Sequence, residues 1–478
     1  MVGSPKDIDF GKAILDGHKK YPDTPFLIPT SPPRIILPML LFTEAMRAPS
    51  THLSFMQSIY DLFQGRYTYI GREIDDLIHI VKTELNHNIS DILPLVQDEA
   101  DHFLRTEIGT SGDWKAISIY STMVRTIAFL NSRVFIGLPL SRDEKWVESS
   151  INYALHVGAV QQAAQRYNYI IRPFVVPFLP EVREIGRDLK EARKFLTPLV
   201  HQTLKKDSSG SVAEEAESVG NFISWMLKHH CDGKKAAERA GINQMVLSFV
   251  ALHTTSMTAA FVILDLARRP EYIEPLRHEI FTIIKEDKWK TDKHGLRYLS
   301  KLSFQKMSRL DSFIKESQRV HPINLVEGWR TVKKDFIFSN GLKVPQGASL
   351  AWPLWGLYNS SSTPVLSPSY NEEAGNPGPE VFDWFRFSKL RGRYNPGGQK
   401  HSAVSTGEDS LNFGHGPHSC PGRFFAVHEI KTILVKILVD YDIRLKDIAE
   451  SDHVMKGINM IPHPAALVEF KWRGDESG

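Results

Sequence analysis

The feature that most limits how this chain can fold is a stretch of helical apolar spacing over residues 236–269, closed by Pro270. Its middle reads VLSFVALHTTSMTAAFVIL and is apolar nearly all round. A helix without a polar face has to be buried on every side. At about 1.5 Å per residue it runs on the order of 50 Å, enough to cross a whole domain. Such a helix requires a large body packed around it.

The remaining sequence can supply that body. With 478 residues, length alone would allow two or three domains. Residues 38–205 keep mostly helical spacing, as in LPLVQDEADHFLRTEI and YALHVGAVQQAAQRY. A helix is expected over 270–286, and another ending at Val320 before His321-Pro322. The pattern then changes. TVKKDFIFSNGLKVPQGASLAW alternates and turns at Asn340-Gly341, the signature of a β-hairpin. Polar loops follow, then a helix to about Val439 and two strand-like runs, DYDIRLK and ALVEFKW. The expected fold class is mainly α with small β-sheets, most of them late in the chain.

Other segments are less regular. The first 35 residues are rich in Pro and turn formers, and DSSGSVAEEAES (207–218) reads as a polar linker. YIIRPFVVPFLP (169–180) carries three prolines and an apolar surface. It is either a core loop or a membrane-dipping loop between helices.

Composition excludes several classes. Hydrophobic residues make up 42% and charged residues 24%, the balance of a globular protein. A net charge of +3 is too small to imply a nucleic-acid partner. Two cysteines cannot form a disulfide framework, which points to a reducing compartment; Cys231 has no assigned role. The longest apolar run, IILPMLLF (35–42), is broken by Pro38 and too short to span a bilayer. No signal peptide is evident. Met1-Val2-Gly3-Ser4 reads as an expression scar, with an N-terminal membrane anchor absent from this chain.

The chemistry is concentrated in FGHGPHSCPGRFF (413–425). Its glycines let the backbone turn sharply and approach a flat ligand closely. Pro421 suits the first position of a helix, so a helix is expected to begin at Cys420, where the dipole and free N–H groups favour a thiolate. Three readings compete. Cys420 could be a nucleophile with His415 or His418 as base. The three residues could bind zinc in a structural module, although a fourth ligand is not obvious. Cys420 could also be the single protein ligand of a haem.

Phe413, Gly416, Cys420 and Gly422 form F-x-x-G-x-x-x-C-x-G, which resembles the haem loop of the cytochrome P450 family, and Arg423-Phe424-Phe425-Ala426 resembles its fungal branch. Further motifs stand in the family's order. Lys315-Glu316-Ser317-Gln318-Arg319 contains E-x-x-R. Pro379–Phe387 resembles P-x-x-F-x-P-x-R-F, with Trp384 in place of the second proline. Val250-Ala251-Leu252-His253-Thr254-Thr255 is similar to A-G-x-[DE]-T-T, with His253 where the acid usually stands. The first 230 residues are similar only loosely, as in IHIVKTEL and LNSRVFIG.

The resemblance implies one domain over 1–478 that binds haem b through Cys420, with Phe413 and Gly414 in the haem loop. It implies propionate contacts from His418, Arg330 and Lys82, His418 standing where the family often has arginine. Glu316, Arg319 and Arg386 would form a structural network, while Thr254 and His253 would deliver protons to dioxygen. Substrate contacts would come from Leu247 and Ala251, from Ile323, Asn324, Leu325 and Val326, and from Met460 and Ile461. The implied function is a haem-thiolate monooxygenase. It would oxidise a C–H bond, or drive ring closure or coupling, in an apolar terpenoid, alkaloid or polyketide intermediate. Electrons would come from NADPH through a cytochrome reductase, with a cytochrome b-type protein as a second donor. The implied setting is a monomer on the cytosolic face of the endoplasmic reticulum membrane. A haem-thiolate isomerase or dehydratase that does not use dioxygen is the alternative.

Overall fold

The N-terminal residues are more ordered than their prolines suggest. Helix α1 (Gly11–Lys20) is followed by strands β1 (Phe26–Ile28) and β2 (Arg34–Ile36), which pair antiparallel. Pro32 and Pro33 fall in the turn between them, where a missing N–H removes no ladder bond. The structure is a computed structural model that describes residues 1–72, 74–208, 222–229, 233–367, 375–394, 398–446 and 452–474. Most of the expected linker at 207–218, and Cys231, lie outside these residues.

Strand β3 (Leu53–Ser54) leads into α2 (Phe55–Leu62), where the Ser54 side chain accepts from the Gln57 N–H at 3.1 Å and caps the first turn. Helix α3 (Asp75–Ile80) continues through a wide turn, Val81–Leu85. The helical body follows: α4 (Ile89–Glu107), strand β4 (Lys115–Ser118), α5 (Ile119–Phe135) and α6 (Glu144–Gln165). The segment at 169–180 forms a one-turn helix α7 (Arg172–Val175) and a tight turn, Val176–Phe178, before α8 (Pro180–Ser208).

The long helix is α9 (Gly233–Arg268), and it packs along α5, α6 and α8. It is long and apolar enough to cross a membrane, yet most of its apolar stretch is buried inside the helical body. The segment expected to be one helix over 270–286 is a tight turn, Pro270–Tyr272, then α10 (Ile273–Asp287). Helix α11 (Ser308–Val320) packs against α9 and is buried along nearly its whole length.

The expected hairpin is nested in a larger one. Strand β5 (Glu327–Val332) runs antiparallel to β8 (Ser349–Trp352), and between them β6 (Phe336–Ile337) pairs with β7 (Lys343–Val344). Gly341, at φ +86, makes the inner turn possible. The five-stranded sheet has the order β1-β2-β8-β5-β3, with β2 and β8 parallel. After the cysteine loop comes α12 (Arg423–Asp440), then β9 (Tyr441–Leu445), β10 (His453–Lys456), β11 (Asn459–Pro462) and β12 (Leu467–Trp472). The two strand-like runs at the C-terminus pair with each other, and β12 also pairs with β4.

Candidate active site

The cysteine loop is shaped by its own backbone. Gly414 and Gly416 adopt φ values of +62 and +75, a region that L side chains rarely enter. These turns let the Cys420 N–H donate to the Phe413 carbonyl at 2.8 Å. The Arg423 guanidinium donates to the Cys420 carbonyl at 2.7 Å and to the Val404 carbonyl at 3.2 Å. The helix starts at Arg423 and not at the cysteine, because residues 416–418 form a separate tight turn. The N–H groups of Gly422 and Arg423 still reach the sulfur. Burial nevertheless pushes the Cys420 thiol up, so the helix terminus alone does not hold it as a thiolate. A bound metal ion would deprotonate it outright.

Two cations, Arg330 and Lys82, and a histidine gather beside this loop. His418 is held below its ordinary pKa by burial, then by the charges of Arg330 and Lys82. The Asn86 amide, four residues after Lys82, donates to the Pro421 carbonyl at 3.0 Å and docks that segment on the loop. The His418 ring lies 5.4 Å from the Phe55 ring, and the Arg330 guanidinium lies 5.8 Å from the same ring. Arg330 is 2% exposed and bonds only to the Gly328 and Trp329 carbonyls and Met46. Among the described residues no carboxylate hydrogen-bonds to it, and burial, opposed only in part by the charge of Glu327, lowers it to about 10. The structure thus brings together Arg330, His418 and Lys82, a group of donors that suits anionic propionates.

On α9, Thr254 is exposed although it lies in the middle of a core helix, and Val250, one turn earlier, is 46% exposed. The Thr254 hydroxyl donates to the Val250 carbonyl at 3.1 Å. These two residues therefore border open space inside the helical body. His253 lies elsewhere on the helix. Its ring packs edge-on to Phe249 at 6.0 Å and meets the Ala154 backbone of α6, and burial lowers its pKa. The structure does not bring His253 and Thr254 onto one face.

Glu316, Arg319 and Arg386 form one buried network. Glu316 accepts from Arg319 at 2.8 and 2.9 Å and from Arg386 at 3.2 Å to each oxygen. The Asp383 N–H adds a bond at 2.9 Å. Burial alone would push the Glu316 carboxyl up, but the two arginines hold it below its ordinary value. The arginines also donate to the carbonyls of Tyr358, Pro377, Gly378, Pro379 and Val381, tying down the segment that precedes the cysteine loop.

Residues 323–326 and 458–461 are joined. The Met460 N–H donates to Ile323 at 3.1 Å, the Leu325 N–H to Ile458 at 2.8 Å, and the Asn459 amide to Asn324 at 2.8 Å. Ile323, Asn324 and Ile461 are half-buried, whereas Leu325, Val326 and Met460 are fully buried in one apolar cluster with Phe261 of α9. Leu247 and Ala251 belong to a different cluster, toward the other end of α9. Sequence reasoning missed Glu327. Its carboxyl accepts from the Asn324 amide at 2.8 Å, and burial pushes it up to about 7. It lies within electrostatic reach of both Arg330 and Cys420. A lone acid in the apolar run INLVEGW was the available signal.

This donor set fits a haem: one sulfur on a glycine-turned loop, N–H donors without a hydrogen-bonded carboxylate beside it, and open space along a buried helix. The comparisons agree. The family model for cytochrome P450 matches residues 78–468. Cytochrome P450 monooxygenase 3 of Gibberella fujikuroi is 37% identical over 456 residues, covering 94% of this chain and 85% of the relative. Cytochrome P450 monooxygenase ascG of Acremonium egyptiacum is 35% identical, covering 99% and 91%. Monooxygenase BOA4 of Botryotinia fuckeliana is 34% identical, covering 97% and 90%.

The chain belongs to the cytochrome P450 family.

As a P450 it is an oxidoreductase of the monooxygenase type, with haem b as cofactor and electrons from NADPH through a reductase. Its similar relatives are fungal P450 monooxygenases.

Proposed function

We propose that this P450 oxidises a C–H bond, or drives radical ring closure or coupling, in an apolar natural-product intermediate such as a terpenoid, alkaloid or polyketide. Haem, when bound, would supply the reductive activation of dioxygen, with a thiolate ligand donating electron density to it. The protein's own residues do the rest. Cys420 provides the thiolate, and the Gly422 and Arg423 N–H groups at its sulfur tune it. Thr254 holds water at the open face of α9 and passes protons toward dioxygen. The apolar walls contributed by Leu247, Ala251, Ile323 and Ile461 orient the substrate and exclude water.

The observation that carries this reading is the accessible Thr254 hydroxyl in the middle of an otherwise buried helix. A threonine placed there for packing alone would be covered. His253, turned toward α6, is better suited to packing than to proton delivery. We place the enzyme as a monomer on the cytosolic face of the endoplasmic reticulum membrane, served by an NADPH-dependent reductase or a cytochrome b-type donor.

The test is the reduced, carbon monoxide-bound spectrum. The wild-type protein should give the shifted Soret band of thiolate-bound haem, and Cys420→Ala should lose it. A band that survives the substitution sinks the ligand assignment. Turnover that persists without dioxygen or reductant would instead favour an isomerase.

A further inference from the structure

Strand β2 carries a charge where a sheet interior normally holds none. Arg34 is 7% exposed, flanked by Ile28 on β1 and Ser349 on β8. Its guanidinium lies over the Trp329 ring, 4.6 Å from the centroid. The Nε and Nη1 atoms are sealed from solvent and donate to no partner among the described residues. Among the described residues no carboxylate pairs with it, and burial lowers its pKa to about 10. Unmet donors on a buried cation are costly, and stacking on an indole offsets only part of that cost.

The fold satisfies comparable arginines. Arg172 is 8% exposed, yet donates to the Tyr167 carbonyl and to both the carbonyl and hydroxyl of Ser31. Arg277 donates to the Leu438 and Tyr441 carbonyls and to Asp442. Arg330 is also buried without a hydrogen-bonded carboxylate and faces the propionate site; Arg34, with two sealed donors unmet, stands as a second cation prepared for a partner absent among the described residues. Its position suggests which partner. Trp329 shares a cluster with Phe261, Leu325, Val326 and Met460, beside the walls proposed for the substrate. Arg172, on the apolar segment at 169–178, reaches Ser31 just before this strand. Arg330 bonds to Met46, and the Phe55 ring it shares with His418 packs on the edge of the Trp329 cluster.

We propose that Arg34 binds the carboxylate of an acidic substrate, whose apolar body lies against the Trp329 cluster. The planar guanidinium fork matches a carboxylate through two parallel bonds. This names the substrate class for the P450 reading above and rests on it.

The test uses the wild-type holoenzyme and the variants R34M and R34K. Dodecanoic and abietic acids, and the primary alcohols of the same skeletons, are titrated against the substrate-induced spin shift of the Soret band. At least one acid should bind wild type tenfold or more tightly than its alcohol. R34M should erase that difference, and R34K should keep part of it. R34M should also raise the melting temperature of the substrate-free enzyme, because it removes an unmet charge. The proposal is overturned if no acid binds more tightly than its alcohol, if R34M keeps the preference, or if R34M fails to fold. The carbon monoxide spectrum separates the two levels: a missing thiolate band defeats the P450 reading, whereas a normal band without acid preference defeats only the role of Arg34.

Discussion

His321 follows α11 and is 6% exposed, with both ring nitrogens engaged. Nδ1 meets Asp265 at 3.1 Å and Nε2 meets Asp452 at 3.2 Å, while the ring stacks on Phe261 at 4.7 Å. Arg269 also pairs with Asp265, and Arg268 and His453 with Asp452. A ring that donates from both nitrogens is an imidazolium and has no lone pair for a metal. Burial would lower its pKa, but Asp265 and then Asp452 raise it to about 9. The folded value lies above the unfolded one, so this stability is fully present below about pH 6.5 and is lost as pH rises through about 9. The upper bound is roughly 3 kcal/mol. Melting temperature should therefore fall between pH 7 and 9 more steeply in wild type than in H321Q; parallel curves would refute the imidazolium. At this scale the sequence was legible wherever a motif has fixed spacing. The contacts among Glu316, Arg319 and Arg386 were found that way. Arg34, Glu327 and the orientation of His253 were not, because each depends on which distant element lies alongside.

Among the elements, the segment before the cysteine loop is held mostly from outside. Arg386 is fully buried, and its bonds to Glu316 and to the carbonyls of Pro377, Gly378 and Val381 lock 377–386 against α11. R386A would leave Glu316 short of one partner, at a cost of about 3–5 kcal/mol. R386K should recover little of this, since an ammonium cannot reproduce the planar fork. Urea denaturation of the holoenzyme measures both, and a loss under 1 kcal/mol for R386A would contradict the structural role. The long helix, the hairpin at Asn340-Gly341 and the C-terminal strands were all readable from periodicity. The helix start near Cys420 was misplaced by three residues, because Pro421 marks a tight turn there and not a first helical position. Strands β1 and β2 were missed. They are three residues each, and their order comes from pairing that no local window contains.

For the whole molecule, the segment at 169–178 is part core and part surface. Val176 is fully buried, while Ile170, Phe174 and Phe178 are 64%, 75% and 74% exposed. A cluster of such residues on one short hood is an unusual surface for water to cover. We expect it to enter a bilayer, each phenylalanine contributing about 1.5–3 kcal/mol when fully buried. Changing Ile170, Phe174 and Phe178 to serine should sharply reduce sedimentation with phosphatidylcholine–phosphatidylserine liposomes. Unchanged sedimentation would show that the hood does not make the contact.

The parallel pairing of β2 with β8 has a consequence in time. Arg34 lies opposite Ser349, so the first strands of the sheet wait for partners made more than three hundred residues later. At ribosomal speeds of about 5–20 residues per second, the interval is on the order of 15–60 s. Throughout it, the apolar run IILPMLLF at 35–42 has no sheet to join. The nascent chain therefore exposes this apolar run for most of its synthesis, a state prone to aggregation until its last third has emerged.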